Sequence, residues 1–223
     1  MPRIAAFVPM RHASERVEGK NYRLLGGRPL YHHIVGSLLA CDQIGEVVID
    51  TDSPVITADA TQAFPSVRVL ARPEHLLGGD VPMNDVLLND IDQVTADYYV
   101  QTHSTNPLLR PQTISRALDA FLALRDEHDS LFTVTALQTR LWTAEGTAIN
   151  HDPAILLRTQ DLAPVMEENS CLYVFDAATI RKRGNRIGQR PLLYPIDRAE
   201  AWDIDEEIDW SVVAALYDGR TTT

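Results

Sequence analysis

Two cysteines, Cys41 and Cys171, are all that the 223 residues contain, and they stand far apart in no metal-ligand spacing. This excludes a disulfide framework and a cysteine zinc site, and it points to reduced core residues of a cytoplasmic protein. No apolar run approaches the roughly 20 residues of a membrane span, and the run after Arg3 is too short for a signal peptide. The expectation is a soluble chain without a membrane partner. Positive charge is also scarce: 20 Lys and Arg face 31 Asp and Glu, for a net charge of −11. A nucleic-acid binder needs a basic face, so no nucleic acid is expected as partner. Neither G-x-G-x-x-G nor G-x-x-x-x-G-K-[ST] follows the first strand-like run, which leaves no glycine cradle for phosphate. Internal repeats and low-complexity tracts are lacking too.

What is present is apolar material for one sizeable core, 45% of the residues, in segments of alternating type. Strand-like runs lie at 4–8, 46–50, 67–70, 98–102, 131–137, 171–175 and 192–196. Between them, helical spacing marks 30–39, 56–64, 84–95 and 177–182. The clearest helix has Ile114, Ala117, Leu118, Phe121 and Leu122 at i, i+3, i+4, i+7 and i+8, with Pro111 near its start. A last helix over 206–217 is expected to bury Ile208, Val212, Ala215 and Leu216. Such alternation favours an α/β fold with three layers and a mostly parallel central sheet. From 138 to 169 the rhythm breaks into polar, proline-containing pieces with short β-like runs, expected to form an arm on a single domain spanning 1–223.

One stretch is out of keeping with the acidic whole. The buried strand at 4–8 runs directly into Arg11, Ser14, Arg16, Lys20 and Asn21. In open α/β folds ligands bind beyond the carboxyl ends of the strands. Three cations with a hydroxyl, a glycine and an amide suit a polyphosphate, Arg binding as a fork and Lys as a point charge.

The run Arg11-His-Ala-Ser14-Glu-Arg16-Val-Glu-Gly19-Lys20-Asn21 resembles the signature loop of the sugar-acid cytidylyltransferases, the family of CMP-sialic acid and CMP-Kdo synthetases. There the loop wraps the triphosphate of CTP. Ala13, Glu15 and Glu18 depart from the family pattern, Glu15 standing where Lys is common and Glu18 where Pro is. Arg72-Pro73-Glu74-His75-Leu76 is similar to the family's Arg-Pro-x-x-Leu segment, which implies that Arg72 helps hold the base. His103-Ser104-Thr105-Asn106-Pro107-Leu108 resembles its Gln-x-Thr-Ser-Pro-Leu segment, where the acceptor sugar lies. Here His103 takes the place of Gln. Trp202-Asp203-Ile204-Asp205 resembles Ile-Asp-Ile-Asp, whose aspartates bind Mg²⁺. On an extended segment residues two apart face the same way, so both carboxylates meet one site. Asp205 has a competing reading as the cap of the last helix. On the arm, Arg158 and Gln160, with 168–173 after them, are similar to the family's Arg-Gln-x-Leu-Pro and Glu-Asn-Gly-x-Tyr run, implying acceptor contacts and a homodimer interface.

The resemblance thus implies a nucleotidyltransferase fold with a small β-rich dimerisation arm. It also implies a Mg²⁺-dependent enzyme that moves CMP from CTP to a 2-keto sugar acid of the sialic or nonulosonic type, releasing pyrophosphate. Arg11, Lys20 and Asp203 would carry catalysis; Arg11, Ser14, Arg16, Lys20, Asn21 and Arg72 the nucleotide. His103, Ser104, Thr105, Arg158 and Gln160 would hold the acceptor, and Asp203 and Asp205 the metal. Two alternatives stand beside this reading: transfer to Kdo or a phosphonate, and a non-catalytic nucleotide-binding module of the same fold.

Overall fold

The opening apolar run forms strand β1 (Ile4–Met10), and every one of its residues is buried. The computed structural model of the protein describes residues 1–14 and 16–221. The Glu15 departure and the fraying expected at Thr222 and Thr223 therefore lie outside the described residues. After β1 come a two-strand ribbon, β2 (Leu24–Leu25) and β3 (Arg28–Pro29), then helix α1 (Leu30–Leu39) and β4 (Glu46–Thr51). The chain continues through α2 (Pro54–Ala63), β5 (Arg68–Ala71), α3 (Met83–Ile91), β6 (Tyr98–Thr102) and α4 (Pro111–Leu124). It ends with β7 (Ser130–Leu137), β8 (Val165–Phe175), α5 (Ala177–Arg183), β9 (Pro191–Pro195) and α6 (Glu207–Thr221).

Local chemistry sets several of these ends. Pro54 starts α2 where a missing N–H costs nothing, and Ser53 caps it, its Oγ accepting from Ile56 N–H at 3.2 Å. Asp176 caps α5 by accepting from Thr179 N–H at 2.7 Å, and Gly184 closes that helix at φ 64°, where a side chain would be strained.

The main sheet has seven strands in the order β5-β4-β1-β6-β8-β7-β9. β1 pairs parallel with β4 and β6, β4 with β5, and β7 with β9, whereas β8 runs antiparallel to both of its neighbours. The sheet is therefore mostly parallel, with one reversed strand. Ile34 and Leu38 of α1, Ile56 of α2 and Ile114 and Phe121 of α4 cover one face. Leu87 and Ile91 of α3 and Ile180 of α5 cover the other. Coverage on both faces is why the central strands read as unbroken apolar runs rather than alternating ones. The chain builds outward from β1 first to β4 and β5, then to β6 on the other side. The crevice at the carboxyl ends of β1 and β6 is thus the switch point where such folds take ligands.

Two expectations need correcting. Strand β8 begins at Val165, six residues before the apolar segment at 171, because Glu167 and Glu168 pair along β7 across a register shift between Phe132 and Val134. Polar residues on an exposed strand extension carry no apolar signal. The β content expected within the arm sits in this extension; residues 138–164 hold one isolated bridge, Trp142 to Ala148, and a single 3₁₀ turn. Helix α6 also presents a different face. Ile208 is 64% exposed, while Trp210 and Val213 are buried against Leu25, Leu30, Leu108 and Ile204. The indole decides the rotation: Arg23 lies over the Trp210 ring at 4.2 Å and reaches Glu207 at 2.7 Å.

Candidate active site

Residues 11–23 leave the end of β1 as a cationic loop held down on both sides. Val17 is fully buried, which returns roughly 1.5–3 kcal/mol and anchors its middle. Gly19 turns at φ 60°, where an added Cβ would lie 2.7 Å from the Tyr22 ring. Toward β6, Asn21 donates from Nδ2 to the Arg11 carbonyl at 2.8 Å and accepts at Oδ1 from the Ser104 hydroxyl at 2.7 Å. Toward β4, His12 N–H donates to Asp52 Oδ1 at 2.7 Å, and its Nδ1 lies 2.8 Å from Ser53 Oγ.

The loop forms one wall of a cavity of about 490 Å³. Arg11, Ser14, Arg16, Lys20, Asn21, Arg72, His103, Ser104, Thr105, Asp203 and Asp205 all line it, as does Arg186. The fold thus brings together residues separated by nearly the whole chain. The link is direct: Lys20 Nζ donates to the Ile204 carbonyl at 2.7 Å, and Arg16 pairs with Asp205 at 2.6 Å. Ile204 N–H in turn donates to the Thr105 carbonyl at 3.0 Å, fixing the Asp203–Asp205 segment against the end of β6.

The buried charges of the cleft are shifted by their surroundings. Burial lowers the Lys20 pKa, against the upward pull of Asp203 and Asp205. Burial raises Asp203, although hydrogen bonding from Thr105 opposes it, and its Oδ1 is shut off from water without a partner. Asp205 does not cap α6; Asp209 accepts from the N–H groups of Asp205 and Glu206 at 3.0 and 2.8 Å. The Asp205 carboxylate is left to Arg16. Among the described residues Arg11 has no carboxylate partner within ion-pair distance. His103 is pushed down to about 3, by burial first and then by the positive charges of Arg186 and Lys20. It is a neutral hydrogen-bonding ring at physiological pH, not a proton acceptor.

Other expected residues are placed differently. Arg72 is no surface guanidinium: its side chain is 3% exposed and its Nε lies 2.5 Å from Asp50. Behind that pair Asp90 is raised to about 8 by burial and by the charge of Asp50. Asn21 touches the cleft wall, yet its amide is committed to Arg11 and Ser104 as a structural clasp. Arg158 and Gln160 stand exposed on the arm and do not line the cavity; Arg158 is forked onto Asp161 at 2.7 and 3.0 Å.

Sequence reasoning reached the opposite wall only through the resemblance of 168–173 and missed Arg186. The reversed direction of β8 delivers its early residues to the same end of the sheet as the ends of β1 and β6. Ser170 lies there at φ 57°, the one positive-φ residue other than glycine among the described residues. It joins the main cavity to a second one of about 310 Å³ lined by Glu167, Glu168, Arg198 and Trp202, with Asp203 shared. Arg186, from the loop after α5, stacks over Tyr173 at 3.8 Å. The resemblance of 168–173 and the Arg- and Gly-rich composition of 181–190 were the sequence signals of that wall.

The sequence profile of the cytidylyltransferases matches residues 5–220. The chain belongs to the cytidylyltransferase family. Among its relatives, the CMP-N,N'-diacetyllegionaminic acid synthase of Legionella pneumophila is 29% identical over 97% of both chains. The 3-deoxy-manno-octulosonate cytidylyltransferase of Escherichia coli is 28% identical over 57% of this chain and 48% of that enzyme, so the chain matches about half the length of that relative. In fold, this cytidylyltransferase resembles a solved CMP:2-keto-3-deoxy-manno-octonic acid synthetase complexed with CTP, at a TM-score of 0.70 and 18% identity over 98% of this chain and 99% of that one. No helix among the cytidylyltransferase's described residues is long and apolar enough to cross a membrane.

Proposed function

We propose that the cleft transfers the cytidylyl group of CTP to a 2-keto sugar acid of the nonulosonic type. The observation that carries this is the meeting of the Arg11, Arg16 and Lys20 loop with the Asp203 and Asp205 carboxylates across one cavity at the switch point. The full-length likeness to a legionaminic acid synthase favours this acceptor class over Kdo or a phosphonate.

In this reading a hydroxyl oxygen of the acceptor attacks the α-phosphorus and forms the new P–O bond, while the bond from that phosphorus to the bridging oxygen breaks. Pyrophosphate leaves with the electron pair. Arg11 and Lys20 hold the triphosphate and the charge that grows on the leaving group; with little covalent chemistry for the protein to do, placement and charge are most of the catalysis. The hydroxyl proton passes to a carboxylate of the Asp203 and Asp205 pair. Neutral His103 and Thr105 orient the acceptor.

The family resemblance implies Mg²⁺. The partnerless Oδ1 of Asp203 and the position of Asp205 on the same cavity fit it. Two carboxylates are what the chain provides; no group of three metal-ligating acidic, His or Cys side chains gathers among the described residues. Mg²⁺ commonly completes its shell from substrate phosphates and water. When bound it neutralises phosphate charge and lowers the pKa of the acceptor hydroxyl. A second copy of the chain is the partner we assign to the arm, where Trp142, Ile149, Ile155 and Leu156 are exposed. We place the reaction in the cytoplasm, where CTP is available.

The test is pyrophosphate release with CTP and Mg²⁺ against N-acetylneuraminate, legionaminate, pseudaminate, Kdo and 2-aminoethylphosphonate, with no-acceptor blanks. Release with a nonulosonic acid and its loss in Lys20→Ala support the reading. Release with Kdo or the phosphonate alone moves the acceptor class, and CTP binding without release against any acid makes the chain a binding module.

A further inference from the structure

Five cations line the main cavity, and the structure accounts for three of them. Arg72 is paired with Asp50, Arg16 with Asp205, and Lys20 with the Ile204 carbonyl and, at 3.9 Å, Asp205. Arg11 and Arg186 have no carboxylate within ion-pair distance among the described residues. They also stand on different walls. Arg11 belongs to the loop after β1, on the triphosphate side. Arg186 comes from the α5–β9 connection and lies over Tyr173 of β8.

Arg186 is built into that wall rather than left in solvent. Its backbone N–H donates to Asn84 Oδ1 at 3.2 Å, and its guanidinium covers the Tyr173 ring at 3.8 Å. The Tyr173 hydroxyl is fixed by Glu168 and by Ser170 Oγ, the latter at 3.2 Å. An aromatic face under a guanidinium takes away water on one side and leaves the edge N–H groups free to donate. In the same cavity the Nε2 of His103 is shut off from water and has no partner. Ser170 holds its hydroxyl there from a left-handed backbone conformation at φ 57°, which a residue with a Cβ rarely adopts. A guanidinium without a carboxylate partner, a partnerless neutral ring and a hydroxyl held at positive φ, lining one cavity, suit a planar anion that accepts several hydrogen bonds.

We propose that Arg186, with His103 Nε2 and Ser170 beside it, is the seat for the acceptor's carboxylate and the residue that makes the enzyme select acids. The inference rests on the reading of the cleft as a cytidylyltransferase site, and it goes beyond the arm residues Arg158 and Gln160, which this chain does not bring to its own cleft. Arg186 is a binding and specificity residue in this account; it takes no part in the chemical step.

The experiment pairs kinetics with equilibrium binding. Arg186→Met keeps an apolar stem over Tyr173, and Arg186→Lys keeps the charge without the fork. For the sugar acid that wild type uses, Arg186→Met should raise the acceptor KM about 10- to 100-fold, the usual weight of a charge-assisted pair. The KM for CTP should stay within about twofold, and Arg186→Lys should fall between. The carboxamide analogue of that acid should bind wild type and Arg186→Met equally, since it lacks the charge that the residue reads. Binding of N-acetylneuraminate and legionaminate in the presence of CMP, followed by calorimetry, gives the same comparison without turnover. A raised KM for CTP instead, an unchanged acceptor KM, or no acid binding to wild type would each overturn the assignment. An unchanged acceptor KM in an enzyme that still releases pyrophosphate leaves the proposed function standing and removes only the seat.

Discussion

Ser104 donates its hydroxyl hydrogen to Oδ1 of Asn21 over 2.7 Å, a bond that spans 83 positions of sequence and is closed to water. With the second bond from Asn21 Nδ2 to the Arg11 carbonyl, it sets the height of the cationic loop above the sheet. Asn21→Ala should therefore lower stability by about 1–3 kcal/mol, because it strands a buried Ser104 donor, and Ser104→Ala should cost less. The double variant should lose less than the sum of the two. Urea unfolding of all three checks this, and additive losses would mean that the clasp does not exist.

Asp203 separates activity from stability. Its folded pKa is raised by burial, so its ionised form is disfavoured in the folded chain and the stability it contributes falls as pH rises from the unfolded value through the folded one. Asp203→Asn removes that penalty. We expect turnover to drop by about 10²-fold or more while the melting temperature at pH 7.5 holds or rises. A parallel loss of both would mark Asp203 as structural.

The buried group of Asp50, Arg72 and Asp90 predicts a pH profile. Asp90 is raised to about 8, so the folded chain keeps a proton there that the unfolded chain has already released. Stability from this group is complete below about pH 4, the ordinary aspartate value, and is lost as pH rises to about 8. Asp90→Asn should gain on wild type across that window and keep a constant advantage above it. Thermal unfolding from pH 5 to 9 reads the difference, and parallel curves would contradict it.

Leu156 is 91% exposed on the arm. If the arm meets a second copy, Leu156→Glu places a charge in the contact and should convert a dimer to a monomer in light scattering at micromolar concentration. Wild type that is monomeric throughout would remove the partner assigned to this surface.

The parts of the site that could be read from the sequence are those encoded locally. Arg11, Ser14, Arg16, Lys20 and Asn21 lie in one loop behind one apolar strand, and Asp203 and Asp205 point the same way because the segment is extended. The helical pattern 111–122 was equally legible, since its apolar stripe faces the sheet. Arg186 was not, because its position depends on a loop that folds back over Tyr173, and Ser170 was marked only by the resemblance of 168–173, its place on the wall depending on the reversed direction of β8. Arg72 could be singled out, but only packing reveals that Asp50 holds it from behind. The face of α6 was misread because four aliphatic residues outweighed one tryptophan in the pattern, whereas in space the indole under Arg23 prevailed.

The reversal of β8 also divides the cleft by heritage. Its cationic side is written in a single short loop, where one insertion or loss would move Arg11, Arg16 and Lys20 together. Its other side is assembled from the start of β8, the loop bearing Arg186 and the base of the arm, three separate stretches that can change one at a time. A change in one of these stretches need not move the cationic loop.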